Sequence, residues 1–553
     1  MHHRLKLRLV STAALAASAA IFGCVENPLD VNNQTNPDVA RVYGSPKDVE
    51  TIVSKLFQQM WNGQQGVTGN IGVQSMVMSL ESHSALANFG FGARANIPRG
   101  VIDNSFGNSN QSENFQDFDV LTRNARSAAN AIAAVDRFKA ANNTIGSPAR
   151  DARAKSFGFF VLGYALANTA FLYDSAAIIT PRVPSDEVPP LSDAATVMAA
   201  AISMLDSALA ITTTADATNG TAGWPIPADW VSGETVSLTR WQQIIRSYRA
   251  RFRAGVARTP AQRAQVDWNA VVADAAAGIT ADFIVNANVS TGWQAGWRNQ
   301  LAVDPTWSQM TPFILGMGDT SGGYQAWLAT PIQQRTPFLL RTPDMRFPAG
   351  ETRAAQQAVT GGGRGGTPAG TVLYFRNRPT GEDSPALPWG EWYYDNWRFW
   401  SIRAAGGNGP VVAFSVAEVN MLEAEGYMRT NRVAQAGPLI DKTRVRAGLP
   451  PVTGISNLTT PVPGGSNCVP QVPQPPSFTT TACGNIFEAM KWEKRLETAF
   501  TGYAQWFIDS RGWGDLVEGT SLEWAVPWQE LYARLNQNLY VMNNRALKGT
   551  YGF

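Results

Sequence analysis

The stretch that most restricts the fold is DARAKSFGFFVLGYALANTAFLYDSA, residues 151–176. Its residues favour helix, yet the apolar ones surround the axis and leave almost no polar stripe. A helix of that kind has to be covered on every side, so the pattern predicts a buried helix over 150–174 with others packed around it. The same 3.6-residue periodicity predicts further helices at 117–140, 192–211, 237–258 and 266–278. The stretch SPKDVETIVSKLFQQMW (45–61) is the best delimited. Ser45 suits the N-cap and Pro46 the first turn, and Val49, Ile52, Val53, Leu56, Phe57 and Met60 fall on one face.

From about 280 to 405 the periodicity fades. Gly, Pro and Trp gather there, and GGGRGGTPAG (361–370) is a loop by composition. Helices resume in SVAEVNMLEAEGYMRT, VAQAGPLIDKTRVRAG and NIFEAMKWEKRLETAF. Helix pairs on both sides of an irregular middle predict a mainly α chain. Its expected form is an α-superhelix of degenerate tetratricopeptide-type helix pairs, with no strict repeat of roughly 34 residues, and a large loop-rich insertion. The expected divisions are a leader (1–23), a helical region (24–280), the insertion (281–405) and a second helical region (406–553).

The leader sets the location. Arg4, Lys6 and Arg8 precede the uncharged LVSTAALAASAAIFG (9–23), which is shorter than the ~20 residues of a transmembrane helix and reads as a secretory signal. It ends in Ile21-Phe22-Gly23-Cys24, which looks like a lipobox with Cys24 as the acylated residue. No later stretch reads as a membrane span, so the expected anchor is lipid.

Residues 1–23 hold three of the 45 Lys and Arg and none of the 43 acids, which leaves 42 basic against 43 acidic residues. So even a balance argues against nucleic-acid binding, which draws most of its affinity from clustered basic charge. His83 is the only histidine beyond the leader, so a metal site of several imidazoles is excluded, as is a Ser-His-Asp triad built anywhere else. His83 itself reads as a polar residue near a helix end. No cofactor is expected, and the sequence leaves open whether calcium supports a loop. Cys468 and Cys483 share the Pro-rich PVPGGSNCVPQVPQPPSFTTTACGN, and in an exported protein they are expected to pair. The closed loop would contribute ~3 kcal/mol and is expected to stand outside the helical scaffold.

The C-terminal helices carry a resemblance. Ala417-Glu418, Leu422, Glu423-Ala424-Glu425 and the following Arg444-Val445-Arg446-Ala447-Gly448-Leu449-Pro450 resemble the hallmark of the SusD/RagB family. A second motif matches in Glu493-Lys494-Arg495-Leu496-Glu497-Thr498-Ala499-Phe500-Thr501-Gly502, then Trp506-Phe507, Asp509, Arg511 and Trp513-Gly514. Thr501 stands where the family usually has Glu. The closing motif looks like Val526-Pro527-Trp528-Gln529-Glu530-Leu531, followed by Asn536-Gln537-Asn538. The charged members Glu418, Glu423, Glu425, Arg444, Arg446 and Arg495 are expected to pair between helices and to cap them, not to bind ligand.

The resemblance implies a cell-surface lipoprotein of the outer membrane that closes like a lid over a SusC/RagA-type TonB-dependent transporter. Its ligand would be an oligosaccharide, or a peptide as in some members. The 18 Trp of the chain suit sugar capture, since an indole face stacks on the apolar face of a pyranose. The residues expected at the ligand are Trp293, Trp297, Trp307, Tyr324 and Trp327 in the insertion, with Phe89, Phe91 and Asn96 from the loop after the second helix. The most aromatic stretch, WGEWYYDNWRFW (389–400), alternates imperfectly, so some of its rings are expected to pack and others to face a cleft. Catalysis is not expected: a glycosidase needs two carboxylates roughly 5–10 Å apart across a sugar, and Glu391 with Asp395, or the Glu418 to Glu425 group, would be the only evident pairs. The other readings are a peptide-binding member, a lid without soluble ligand and, last, a glycoside hydrolase.

Replacing Cys24 tests the anchor. Cys24→Ser is expected to abolish acyl labelling and to release the protein from the membrane fraction; unchanged labelling and fractionation would refute the assignment.

Overall fold

A computed structural model describes residues 39–65, 70–84, 91–108, 112–219, 223–296, 309–360, 371–382 and 390–553. The leader and Cys24 lie outside them. The N-terminal helices are α1 (Pro46–Gln64), α2 (Ile71–Met78), α3 (Ser112–Ala140), α4 (Pro148–Leu172), α5 (Ala194–Ile211), α6 (Leu238–Gly255) and α7 (Trp268–Ala276). Local sequence sets their ends. The Asp48 amide donates to Ser45 Oγ at 3.2 Å ahead of α1, and the Arg150 amide donates to Ser147 Oγ at 3.2 Å ahead of α4. Each cap satisfies a backbone donor that the first turn leaves free, and each is followed by proline in that turn.

Helix α4 is the axis of this half. It packs against α1, α3, α5 and α6 and is buried along nearly its whole length, as a helix without a polar stripe must be. Its contact with α6 is aromatic: Phe157 stacks on Trp241 at 5.4 Å, and Phe160 meets the same indole edge-on at 4.7 Å. Helix α5 is by length and composition apolar enough to cross a membrane, which the sequence reading did not anticipate. Alanine supplies much of that hydropathy, and in the fold one face of α5 is buried against α4.

After α7 the chain enters β1 (Phe283–Ala287), and the insertion returns through β4 (Gly409–Phe414), paired antiparallel with it from Phe283 opposite Phe414 to Ala287 opposite Gly409. Then follow α8 (Val416–Arg429), α9 (Val433–Arg444), α10 (Ile486–Thr498) and α11 (Gln505–Trp513). Helix α7 packs directly on α8, so the insertion is a detour out of a continuing series of helix pairs. Within it, β2 (Phe375–Asn377) and β3 (Tyr394–Asn396) form a second antiparallel pair. In the aromatic stretch, Trp392, Tyr394, Trp397, Phe399 and Trp400 are all buried; Trp389 lies outside the described residues. Tyr393 is half-buried under Arg353, and the other described rings of this stretch are core.

The charged motif residues tie the halves together. Glu418 and Glu425 are seven residues apart, about two helical turns, and so face the same way from α8. Glu418 accepts two hydrogen bonds from Arg251 of α6, at 2.7 and 2.6 Å, and Glu425 accepts two from Arg263, both at 2.7 Å. Arg263 also reaches Asp509 of α11 at 3.1 Å, and Lys494 of α10 closes on the same carboxylate at 2.8 Å. From the insertion, Arg346 bonds Asp344, Glu493 and Glu497 at 2.7, 2.8 and 3.2 Å. Arg446 reaches Glu497 at 2.7 Å, and Arg444 gives bonds to the Pro450 and Val469 carbonyls. Glu423 differs from expectation: it accepts from the Tyr427 hydroxyl one turn along its own helix, because it points away from the interface.

Cys468 and Cys483 form a disulfide, beside a short hairpin of 471–473 and 481–483. The loop is not outside the scaffold. Cys468 and Val462 are buried in a small core with Met421, Ile440 and Met490 from α8, α9 and α10.

Burial alone would raise the Glu425 carboxyl, but Arg263, with Arg429 and Lys494 beyond it, holds it well below the usual carboxylate range. A depressed acid adds stability that is present above its unfolded pKa of ~4.3 and lost as pH falls toward its folded value. Glu425→Gln is therefore expected to cost about 3–5 kcal/mol at pH 7, as for one partner removed from a buried pair, and the gap to wild type should narrow below about pH 4. Denaturant melts at pH 7 and pH 3 measure it, and an equal gap at both would contradict it.

Candidate functional site

Three segments far apart in sequence meet at a cleft of about 400 Å³. Ile97, Pro98 and Arg99 come from the loop before α3. Phe313, Ile332 and Arg335 come from the insertion, and Val517, Glu518, Arg545 and Phe553 come from beyond α11. Each segment is anchored by side chains bonded to backbone. Arg99 donates to the carbonyls of Arg94 and Val77, and burial beside Arg94 lowers its guanidinium to about 9. Arg545 donates to the Gly519 carbonyl at 2.6 Å and to the Arg99 carbonyl, joining two of the walls.

Phe313 and Phe553 form the floor, backed by a nested aromatic group. Phe313 meets Trp327 at 5.0 Å and Phe553 at 5.0 Å, both nearly perpendicular. Tyr324 stacks near Trp327 at 6.0 Å, and its hydroxyl donates to the Phe313 carbonyl at 2.6 Å. Over this group lies Arg335, whose guanidinium sits 4.1 Å from the Trp327 ring centroid and gives bonds to the Thr330 and Leu328 carbonyls at 3.0 and 3.3 Å. Burial lowers its pKa from the ordinary arginine value. The stack offsets part of that desolvation, since an indole face attracts a cation by up to ~2 kcal/mol. Half-buried Phe553, Ile332 and Ile97 leave apolar surface to the opening, while Arg335 and exposed Glu518 place opposite charges at its edge.

The expected ligand residues divide. Phe91, Trp293, Tyr324 and Trp327 are buried, where open loop positions were expected. A ring covered on both faces has none to offer a sugar; Tyr324 and Trp327 instead pack behind Phe313, which lines the cleft, and Trp293 packs 6.2 Å from Phe57 of α1. Asn96 is exposed and precedes Ile97, which lines the cleft. Phe89, Trp297 and Trp307 lie outside the described residues. Phe313, Arg335, Glu518 and Phe553 were missed by sequence reasoning, because no local pattern links segments so far apart.

Hydrolytic chemistry finds little support in the geometry. Among the described residues lining this cleft, Glu518 carries the only side-chain carboxylate, whereas hydrolysis of a glycoside needs two carboxyl groups flanking the sugar. Asp395 is buried; burial raises its pKa, against Arg378 and Arg376, which bond it at 3.0 and 2.9 Å. His83 is buried too, and burial, reinforced by Arg99, lowers it to about 3. Among the described residues, no group of three or more His, Cys, Asp or Glu side chains is placed to hold a metal. A larger cleft of about 610 Å³ lies between Arg258, Arg511 and the 544–550 segment, and no insertion residue lines it.

Solved structures share this architecture. The chain is similar to a SusD superfamily protein from Parabacteroides distasonis (10% identity, TM-score 0.55, covering 92% of this chain and 100% of that one). It is also similar to a SusD superfamily protein from Bacteroides fragilis (13%, TM-score 0.52, 90% and 99%) and to a SusD homolog from Parabacteroides distasonis (14%, TM-score 0.51, 84% and 84%). No family model and no curated protein matches the sequence. At these identities the likeness is one of fold.

Trp327→Ala tests the placement of the floor. It is expected to cost about 3–5 kcal/mol, as for a large side chain removed from a core, and to lower the melting temperature. An unchanged melt would contradict a buried Trp327.

Proposed function

We propose that this chain, which has the SusD fold, captures an oligosaccharide at the cell surface and delivers it, without altering it, to a SusC/RagA-type TonB-dependent transporter. In this reading Cys24 carries a lipid anchor in the outer membrane and the helical scaffold docks on the transporter. The observation that carries the reading is the cleft. It pairs an aromatic floor with a charged edge and is walled by the insertion and both helical regions. Ligands bind where apolar walls meet a few convergent polar groups. Phe553 would stack on the sugar, while Arg335 and Asn96 would bond its hydroxyls. Phe89, Trp297 and Trp307 keep the contact role that the sequence expects of them. Arg335 and Glu518 also favour one second reading, since opposite charges at one edge suit the termini of a short peptide.

A glycan array followed by calorimetry tests the proposal. Wild type is expected to bind an oligosaccharide and release no product from it. Phe553→Ala and Arg335→Ala are each expected to weaken binding at least tenfold, about 1.4 kcal/mol, with the fold intact by circular dichroism. Binding of oligopeptides alone would favour the second reading, and product release would favour the hydrolase. Binding of the transporter with no soluble ligand would leave the chain a lid.

A further inference from the structure

The closing motif around Trp528 takes no part in the cleft, yet it carries exposed rings. Trp528 and Tyr532 are four residues apart in the short helix Trp528–Ala533 and so share a face. Phe106 closes on them from the loop before α3, with ring centroids 4.7 Å from Trp528 at 61° and 6.3 Å from Tyr532 at 88°. Trp528 is half-buried in the corner, while Phe106 is 54% and Tyr532 58% exposed. Rings held open to water in a cluster mark a contact surface.

The support beneath them is rigid. Buried Asn104 donates to the carbonyls of Val526 and Tyr540 at 3.0 and 3.1 Å and accepts from the Trp528 amide at 3.2 Å. The Asp103 carbonyl accepts from Asn108 and Asn114, both at 2.8 Å. Residues 103–108, which present Phe106, are thus pinned through Asp103 and Asn104, and ordering them costs little when a ligand arrives. The chain after this helix is exposed at Leu535, Asn536, Gln537 and Asn538. The nearby charges Glu530 and Arg534 neutralise each other at 2.6 Å, with Arg534 also bonded to the Pro189 carbonyl.

We propose that Phe106, Trp528 and Tyr532 form a second carbohydrate site, for neutral pyranose chains. The steeply angled rings divide the patch into separate faces, each about the size of one sugar ring, which a flat protein contact would not need. The exposed amides that follow the helix suit hydroxyls, and with Arg534 paired to Glu530 and Asp103 exposed near Phe106 the described charges offer nothing to hold a carboxylate or sulfate. The site shares no residue with the cleft. The inference rests on the oligosaccharide reading and adds that a long glycan is held at two points, which raises apparent affinity without any new contact in the cleft.

The test uses the full chain on affinity gels with soluble starch, a mixed-linkage β-glucan, a mannan and, as acidic comparator, pectate; calorimetry then uses short oligosaccharides of whichever neutral glycan retards wild type. Phe106→Ala/Tyr532→Ala is expected to weaken polysaccharide binding at least tenfold and to leave short-oligosaccharide binding within twofold. Phe553→Ala is expected to weaken both. Phe106→Tyr and Tyr532→Phe, which keep the ring faces, are expected to bind as wild type does. Wild-type polysaccharide binding by the double variant would overturn the second site and leave the first standing. So would retardation by pectate alone, or loss of transporter binding or self-association in place of glycan binding. No glycan binding by wild type on gels, array or calorimetry would overturn both.

Discussion

The structure depends on carboxylates and guanidiniums paired out of water. Arg251 and Glu418 are separated by 167 residues, Arg263 and Glu425 by 162, and Arg346 and Glu493 by 147. Each pair spans a boundary: α6 to α8, the segment after α6 to α8, and the insertion to α10. Buried pairs of this kind add little net stability over apolar substitutes, because desolvation consumes most of the attraction. Their effect is selectivity of arrangement. A helix register that separated Glu425 from Arg263 would strand both charges in the core at a cost of several kcal/mol, so alternative packings of the halves are disfavoured.

The cleft follows from that arrangement. Its walls come from the loop before α3, the insertion and the segment after α11, none of which touches the others along the chain. Arg346 fixes the insertion to α10, and Arg545 fixes the last segment to Arg99. The floor rings can then meet edge to face, an arrangement that adds about 0.5–1.5 kcal/mol per pair beyond burial. Arg335 over Trp327 extends the same stacking toward the opening.

The sequence made the scaffold legible and the cleft largely illegible, for physical reasons. Helices α1, α5 and α6 announce themselves by 3.6-residue periodicity, α1 also by its cap Ser45, and α4 by its unbroken apolar surface; Ser147, Asp193 and Ser237 prove to cap the others as side-chain acceptors. The motif carboxylates could be read as structural, but their partners could not, since Arg251 and Arg263 lie on no shared local pattern with α8. Trp327 and Tyr324 misled because Gly-rich flanks read as open loop. Gly316 shows why they are not: a Cβ there would lie 2.3 Å from the Tyr324 ring, so the glycine serves close packing. In the stretch at 389–400 imperfect alternation left both packing and exposure open, and of its described rings only Tyr393 is not buried.

Amide hydrogen exchange with and without the captured oligosaccharide tests most directly whether these three distant segments act as one site. Added protection is expected together at 96–99, 313–335 and 545–553, with α4 unchanged. Protection confined to one of these segments, or appearing instead around Arg258 and Arg511, would contradict a ligand held at this junction.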